Sequence, residues 1–243
     1  MTTLFISDLH LDASRPHITR LFVKFVRDEA IKARALYILG DLFEAWIGDD
    51  AEDETGSVVA DALAGLQAFG VPCFYIHGNR DFLLGDAWAR RARVTLLPDP
   101  SVVLVEGERI LLMHGDTLCT DDATYQSFRS QSRNPQWQRA FLARPTAERR
   151  EFATQARVES QRYTGSVPDA ITDVNPDAVR TMLRIGQANR MVHGHTHRPA
   201  IHDVDLNGES AQRIVLGDWY EQGSVLRADG GIYALSALSH TAQ

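Results

Sequence analysis

Cysteine is scarce in this 243-residue chain. Cys73 and Cys119 are its only two, too few for a disulfide framework and without the paired spacing of a thiolate metal site. They read as reduced thiols in a cytoplasmic protein. No run approaches the roughly 18 consecutive apolar residues that would span a bilayer. The first ten residues, MTTLFISDLH, place a carboxylate and a histidine where a secretion signal would carry its apolar stretch, which argues against export. Internal repeats and low-complexity tracts are missing too. What remains is the composition of an ordinary soluble globular protein, with 44% hydrophobic and 23% charged residues. The length suits one domain with room for an inserted lobe.

Positive charge is also in deficit, with a net charge of -7, but it is unevenly placed. Residues 123–165 hold Arg129, Arg133, Arg139, Arg144, Arg149, Arg150, Arg157 and Arg162 against Glu148, Glu151 and Glu159. That stretch is therefore about +5 and the remainder about -12. A basic segment in an acidic protein suggests an anionic partner such as a nucleotide, a phospholipid surface or nucleic acid. A solvated helical face would account for it equally well.

Short β-rich apolar runs recur at Thr3–Ile6, Ala35–Leu39, Cys73–Ile76, Arg109–Met113, Met191–Val192 and Arg213–Leu216. Each reads as a buried strand whose end delivers polar side chains to one rim of a sheet. Ile18, Leu21, Phe22, Phe25 and Val26 recur at helical spacing, as do Val58, Val59, Ala62, Leu63 and Leu66. This alternation predicts α/β layers around a central mixed sheet, closed by a hairpin of Ser224–Arg227 and Gly230–Leu235. From about Asp122 to Pro168 no strand is predicted. Tyr125–Phe128, Trp137–Phe141 and Phe152–Ala156 instead pair apolar residues at helical spacing, divided by Pro135, Pro145 and Pro168. The expected organisation is a core of residues 1–121 and 169–243 with a helical cap, 122–168, inserted between two core strands.

Five motifs punctuate the strand ends: Asp8-Leu9-His10, Gly40-Asp41, Gly78-Asn79-Arg80-Asp81, His114-Gly115-Asp116 and Gly194-His195-Thr196-His197. Singly, each is an ordinary turn or cap. Together they place seven potential ligands, Asp8, His10, Asp41, Asn79, His114, His195 and His197, on the rim of an α/β sheet where ligands bind. Seven are too many for one ion and suit two. Asp41 is the natural bridge, since a carboxylate can hold two ions about 3.5–4 Å apart. Asp8, His10 and His197 are assigned to one ion, and Asn79, His114 and His195 to the other. Oxygen and imidazole donors without thiolate fit Mn²⁺, Fe²⁺ or Zn²⁺ in a catalytic site better than a closed structural zinc site. Water held between two such ions loses its proton readily and becomes a nucleophile for phosphorus.

The order and spacing of these motifs resembles the calcineurin-like metallophosphoesterase family, whose pattern runs D-x-H, G-D, G-N-H-[DE], H-G and G-H-x-H. That resemblance implies a β-sandwich core flanked by helices. One position departs, with Arg80 where the family usually has histidine. In the wider family this histidine is thought to assist the leaving group, a general-acid task that arginine cannot perform. A leaving alkoxide would need such a donor, whereas a leaving phosphate, with a relevant pKa of about 6, would not. Arg80, a bidentate phosphate ligand, therefore favours cleavage of a phosphoric anhydride. A surface ion pair between Arg80 and Asp81 is the alternative role.

The runs YILGDLFEAWIGDD (37–50), IHGNRDFLL (76–84), MHGDTLCTDD (113–122) and VHGHTHRP (192–199) look like the UDP-2,3-diacylglucosamine diphosphatase subfamily of lipid A biosynthesis. Asp121, Asp122 and Asp173-Val174-Asn175 fit the same pattern. The resemblance implies hydrolysis of UDP-2,3-diacylglucosamine to UMP and 2,3-diacylglucosamine 1-phosphate by water attacking the phosphorus nearest uridine. It further implies two Mn²⁺ ions and peripheral association with the anionic inner membrane of a Gram-negative bacterium, with no nucleic acid and no obligate protein partner. Carried over by position, Asp41, Asn79, Arg80 and His195 are catalytic, and Asn79, Arg80, Asp122, Ser160, Thr164 and His195 meet substrate. Position 167, where a basic residue is expected, is Val167. Asp122 also precedes a helical pattern as an N-cap would. Two acyl chains need an apolar groove, for which Phe82, Leu83, Leu84, Phe128, Trp137, Phe141 and Phe152 are candidates, either as lining or as the cap's own core. Arg149, Arg150 and Arg157 could meet anionic headgroups. A nucleotide or cyclic-nucleotide phosphodiesterase, a nuclease and a non-catalytic scaffold are competing possibilities. The intact ligand set and the acidity (pI about 5.7) oppose the last two.

Overall fold

The computed structural model describes residues 1–168 and 171–238. The four buried residues of β1 (Thr3–Ile6) alternate between two cores, as the pleat of a strand requires. Leu4 and Ile6 join a cluster with the apolar faces of three helices, α1 (Pro16–Asp28), α2 (Glu54–Ala64) and α3 (Asp86–Ala92). Phe5 points the other way, into a cluster with side chains of a second sheet. β1 is thus buried on both faces.

Its sheet has six strands in the order β11-β10-β1-β2-β3-β4. β2 (Ala35–Ile38), β3 (Cys73–Tyr75) and β4 (Val94–Leu96) continue it in parallel from β1, while β10 (Gly223–Asp229) and β11 (Ile232–Leu238) form the antiparallel hairpin on its other side. The second sheet, β5-β6-β7-β9-β8, comprises β5 (Ser101–Val105), β6 (Glu108–Leu112), β7 (Arg190–His193), β8 (Ala200–Asp205) and β9 (Ser210–Val215). Its inner face supplies Val105, Ile110, Leu112, Val192 and Ile214 to the inter-sheet core. Its outer face is covered by α7 (Pro176–Gly186) through Val179 and Leu183. The layers run helix, sheet, sheet, helix.

The α/β class and the sandwich are both borne out. The single central sheet suggested by strand–helix alternation is not: β5 and β8 are the edges of a second sheet, and their largely exposed side chains make no continuous apolar run. The predicted helix over Ile18–Val26 buries those five apolar residues, but Val58 of α2 faces solvent and Leu66 lies beyond the α-helix. Both cysteines are buried and unpaired.

β6 and β7 pair in parallel, so the chain must leave the sheet and return between them. It does so through α4 (Ala123–Ser132), α5 (Pro135–Leu142), α6 (Thr146–Thr164) and α7. Pro135 opens α5 and Pro145 caps α6, positions where a missing N–H costs nothing. The expected resumption of the core at residue 169 falls outside the described residues, as does the chain's end, 239–243.

Half of the eight arginines in this stretch are spent holding the helices to the sheets. Arg129 donates to the buried Asp116 at 2.8 Å, and Arg133 to the Gly78 carbonyl at 2.8 Å. Arg149, the most buried of them, pairs with both carboxylate oxygens of Asp50, and Arg157 pairs with Glu44 at 2.9 Å. Arg149 is therefore a structural pillar and is not available to a headgroup. Arg139, Arg144, Arg150 and Arg162 are exposed.

Candidate metal centre and adjoining cavity

The loops after β1, β2, β3, β6 and β7 meet at one end of the sandwich, and all seven sequence-predicted ligands lie on them. Five of the seven, Asp8, His10, Asp41, His195 and His197, have φ between 49° and 69°, a left-handed conformation that costs non-glycine residues energy. The backbone is strained to turn these side chains inward, and neighbouring amides hold it there. Asp8 N donates to the Gly40 carbonyl at 3.0 Å, His10 N to the Asp41 carbonyl at 2.9 Å, and His195 N to the Asp8 carboxylate at 2.9 Å. Two glycines are required by close approach. A Cβ on Gly78 would lie 2.1 Å from Asp41 Oδ1, and one on Gly194 2.1 Å from Asp8 Oδ2.

The side chains converge in two groups that share a middle. Asp8, His10 and His197 form one set in which candidate ligand atoms all lie within 4.8 Å of one another; Asp8, Asp41 and His114 form another. His10 Nε2 and His197 Nε2 are 3.2 Å apart, and His197 Nε2 is 3.4 Å from Asp8 Oδ1. Asn79 Oδ1 lies 2.8 Å from His114 Nε2 and 2.9 Å from His195 Nδ1. Asp41 spans both halves, with Oδ2 3.9 Å from His10 Nε2 and Oδ1 3.8 Å from His114 Nε2.

These donors fit a pair of divalent cations. His114 Nδ1 is 2.9 Å from the Leu39 carbonyl, which can only accept, so Nδ1 carries a proton and Nε2, which faces two oxygens, is the nitrogen that loses its proton when the ring is neutral. His10 Nδ1 is buried with no hydrogen-bond partner among the described residues. Charge points the same way. Burial, with Asp81 and Asp8 nearby, pushes the Asp41 carboxyl up to about 7 against the pull of His114. Burial opposes a charged His114, yet Asp41, Asp116 and Asp8 push its imidazole up to about 9. Burial and the charge of His114 drive the adjacent His195 down to about 3. Added positive charge among them would let every carboxylate ionise and every imidazole act as a neutral ligand.

Further residues hold these ligands in place. Asp81 is fully buried and accepts from the amides of Gly78 (2.9 Å), Leu42 (2.7 Å), Phe43 (3.3 Å) and Asp41 (3.3 Å), tying the Asp41 loop to the Asn79 loop. It therefore does not pair with Arg80, and the surface ion pair is excluded. Asp218 Oδ2 lies 3.6 Å from His197 Nδ1, the position of a carboxylate that orients a ligating imidazole. Gly217-Asp218 at the end of β9 repeats the Gly40-Asp41 signature, so that signal was present in the chain. Tyr220 stacks on His10 at 5.0 Å, and Glu44 sits 3.6 Å from His10 Nδ1; no spacing announces either.

A cavity of about 710 Å³ opens beside the centre. Asn79 and Arg80 line its polar end together with Asp122, Ser160 and Thr164; Val167 is not among its lining residues. Asp122 serves twice. It caps α4 by accepting from Tyr125 N at 2.9 Å, and it accepts the Tyr163 hydroxyl at 2.9 Å. Phe82, Leu83, Phe128, Trp137, Phe141 and Phe152 form the apolar wall, while Leu84 faces the core and is corrected as a groove residue. The wall is at once the packing between helices: Trp137 stacks on Phe141 at 4.9 Å, and Phe141 meets Phe152 at 5.2 Å. Arg157 also lines this cavity and pairs with Glu44, so it too is turned from the surface.

A family model described as calcineurin-like phosphoesterase matches residues 1–199. Relatives named UDP-2,3-diacylglucosamine hydrolase match nearly end to end. The one from Stenotrophomonas maltophilia (strain R551-3) is 55% identical over 98% of this chain and 99% of its own, and that from Xanthomonas campestris pv. campestris (strain ATCC 33913) is 53% identical over 98% and 100%. Among solved structures, an archaeal phosphodiesterase superposes with a TM-score of 0.50 at 12% identity, covering 98% of this chain and 100% of that one, a likeness of fold alone.

Proposed function

The chain belongs to the calcineurin-like phosphoesterase family, and from that membership we propose that it hydrolyses the pyrophosphate bond of UDP-2,3-diacylglucosamine, releasing UMP and 2,3-diacylglucosamine 1-phosphate. The observation that carries this is the junction of a polar, imidazole-rich centre with a 710 Å³ cavity whose far wall is aromatic and aliphatic. A nucleotide needs no such wall; a doubly acylated sugar does. The identity of 53–55% with relatives bearing that activity in their name supports the same substrate.

Residues 122–168 act as the cap over that cavity, with residues 1–121 and 169–243 as the phosphoesterase core. Asp8, His10 and His197 would hold one cation and Asn79, His114 and His195 the other, with Asp41 placed to serve both; Mn²⁺ suits the mixed oxygen and nitrogen donors. When bound, the cations supply Lewis-acid polarisation of the phosphoryl oxygens and acidify the attacking water. The chain's own part is positioning. Asp8 and Asp41 receive backbone amides that fix their orientation (His195 N on Asp8, Arg80 N on Asp41 at 2.8 Å). Arg80 makes no ion pair among the described residues, and its Nε is buried without a partner, so its guanidinium is free for the anionic substrate. Asn79 and His195 flank the same space, and Asp122, Ser160 and Thr164 offer hydrogen bonds to the sugar.

Among the described residues no helix is long and apolar enough to cross a membrane. Yet α4–α6 expose Arg139, Arg144, Arg150 and Arg162, and the same helices leave Leu142 on the surface and Phe128 and Val158 part-exposed along the cavity. This mixture suits a peripheral seat on an anionic leaflet, the cytoplasmic face of a Gram-negative inner membrane, from which the substrate would enter the cavity.

Purified protein supplied with Mn²⁺ is expected to release UMP from UDP-2,3-diacylglucosamine and to leave UDP-glucose nearly untouched; in ¹⁸O water the label should enter UMP. Equal turnover of the two substrates would instead mark a general nucleotide pyrophosphatase or phosphodiesterase. Arg80→His is expected to lower kcat/KM by about ten- to a hundredfold, the scale of a charged hydrogen bond. Unchanged activity would remove the inference that arginine here selects an anhydride.

A further inference from the structure

A second cavity, of about 260 Å³, is lined by Asp173, Thr196, Arg198, His202, Arg213 and Val215 among others. Its charges are unevenly matched. Asp173 is committed to Arg198, whose Nη1 donates to it at 2.5 Å. Arg213, half-buried on β9, makes no ion pair among the described residues; its one hydrogen bond is to His193 Nε2 at 3.3 Å. Burial outweighs nearby Asp173 and lowers the guanidinium's pKa, the mark of a cation short of counter-charge. Thr196 Oγ1 is buried and has no hydrogen-bond partner among the described residues. A half-buried cation thus lines this small space, while the unsatisfied Thr196 hydroxyl is itself closed to solvent.

We propose that this cavity binds a phosphate-class oxyanion on the Arg213 guanidinium, beside the backbone of the Thr196 loop. Its volume lies below the roughly 300–1,000 Å³ of pockets that enclose drug-sized ligands, which favours a small ion over a nucleotide. The site is joined to the candidate metal centre by covalent and hydrogen-bonded neighbours. Thr196 separates His195 from His197. Arg213 donates to His193, whose Nδ1 donates in turn to the Gly194 carbonyl at 2.8 Å. Gly194 packs against Asp8 so closely that a Cβ would not fit. An oxyanion that draws Arg213 toward itself competes with the His193 contact and so bears on the loop that carries two of the seven ligands.

Selenate, an anomalous scatterer of phosphate shape, soaked into crystals of the manganese-loaded protein is expected within hydrogen-bond distance of the Arg213 guanidinium. In solution, inorganic phosphate titrated into the manganese-loaded protein should show a binding step that Arg213→Met weakens about ten- to a hundredfold, the equivalent of one charged hydrogen bond. Arg213→Lys, which keeps the charge, should weaken it less and provides the comparison if the methionine variant does not fold. No selenate in the cavity would overturn the proposal, as would a phosphate isotherm unchanged in both variants. Selenate in the crystal without a corresponding step in solution would mean binding at crystal concentration only, and would overturn it equally.

Discussion

Asp41→Ala is expected to lower kcat/KM on UDP-2,3-diacylglucosamine by on the order of four decades or more, the scale reached when one member of an interdependent catalytic unit is removed. The size of the effect follows from geometry. Asp41 reaches toward both halves of the cluster with separate oxygens, which lie 3.9 Å and 3.8 Å from His10 and His114. Its loss would leave each half one oxygen donor short and so weaken the hold on both cations. Metal content measured on the purified variant should fall with activity. The fold should survive, because Asp81, rather than Asp41, anchors the loop amides of Leu42 and Phe43. A folded Asp41→Ala protein with activity within tenfold of wild type would remove Asp41 from the bridging position.

The next largest effect is expected from a single methyl group. In Gly194→Ala the new Cβ would stand 2.1 Å from Asp8 Oδ2 and 2.3 Å from Ser7 Oγ, distances at which something must move. Asp8 is the group that yields, and it carries the hydrogen bonds from His195 N and Ser7 Oγ with it. A displacement of about 1 Å at a catalytic group can cost a hundredfold, so kcat/KM is expected to drop at least about that much. Overpacking of this kind also costs about 1–3 kcal/mol of stability, readable by thermal unfolding. Gly65→Ala is the control: its Cβ would meet nothing within 4 Å, and the change should stay within about 0.5 kcal/mol and leave turnover intact. A Gly194→Ala protein with wild-type turnover would show that Asp8 is not held where the loops place it.

The centre was legible because every candidate ligand sits at a strand end, four of the seven (Asp41, Asn79, His114 and His195) directly beside a glycine, and this placement leaves a trace in the sequence. The groups that orient them left less. Tyr220 works through a ring face and Glu44 through two arginines, contacts with no characteristic spacing, and Asp81 stood within the Gly78–Asp81 motif without showing that it gathers four backbone amides. The second sheet was hidden for a different reason. β5 and β8 are edge strands with mostly exposed side chains, so hydrophobic periodicity gave no sign that the core is shared between two sheets. The basic stretch misled in part because charge in a sequence carries no burial. Arg149 and Arg157 look like their exposed neighbours until Asp50 and Glu44 are seen against them.

Everything proposed for catalysis rests on two cations held about one aspartate. Anomalous diffraction at the manganese edge from crystals grown with Mn²⁺ tests that directly. Two peaks are expected, one among Asp8, His10 and His197 and the other among Asn79, His114 and His195, with Asp41 between them. A single peak, or none, in protein that still hydrolyses the substrate would contradict the account.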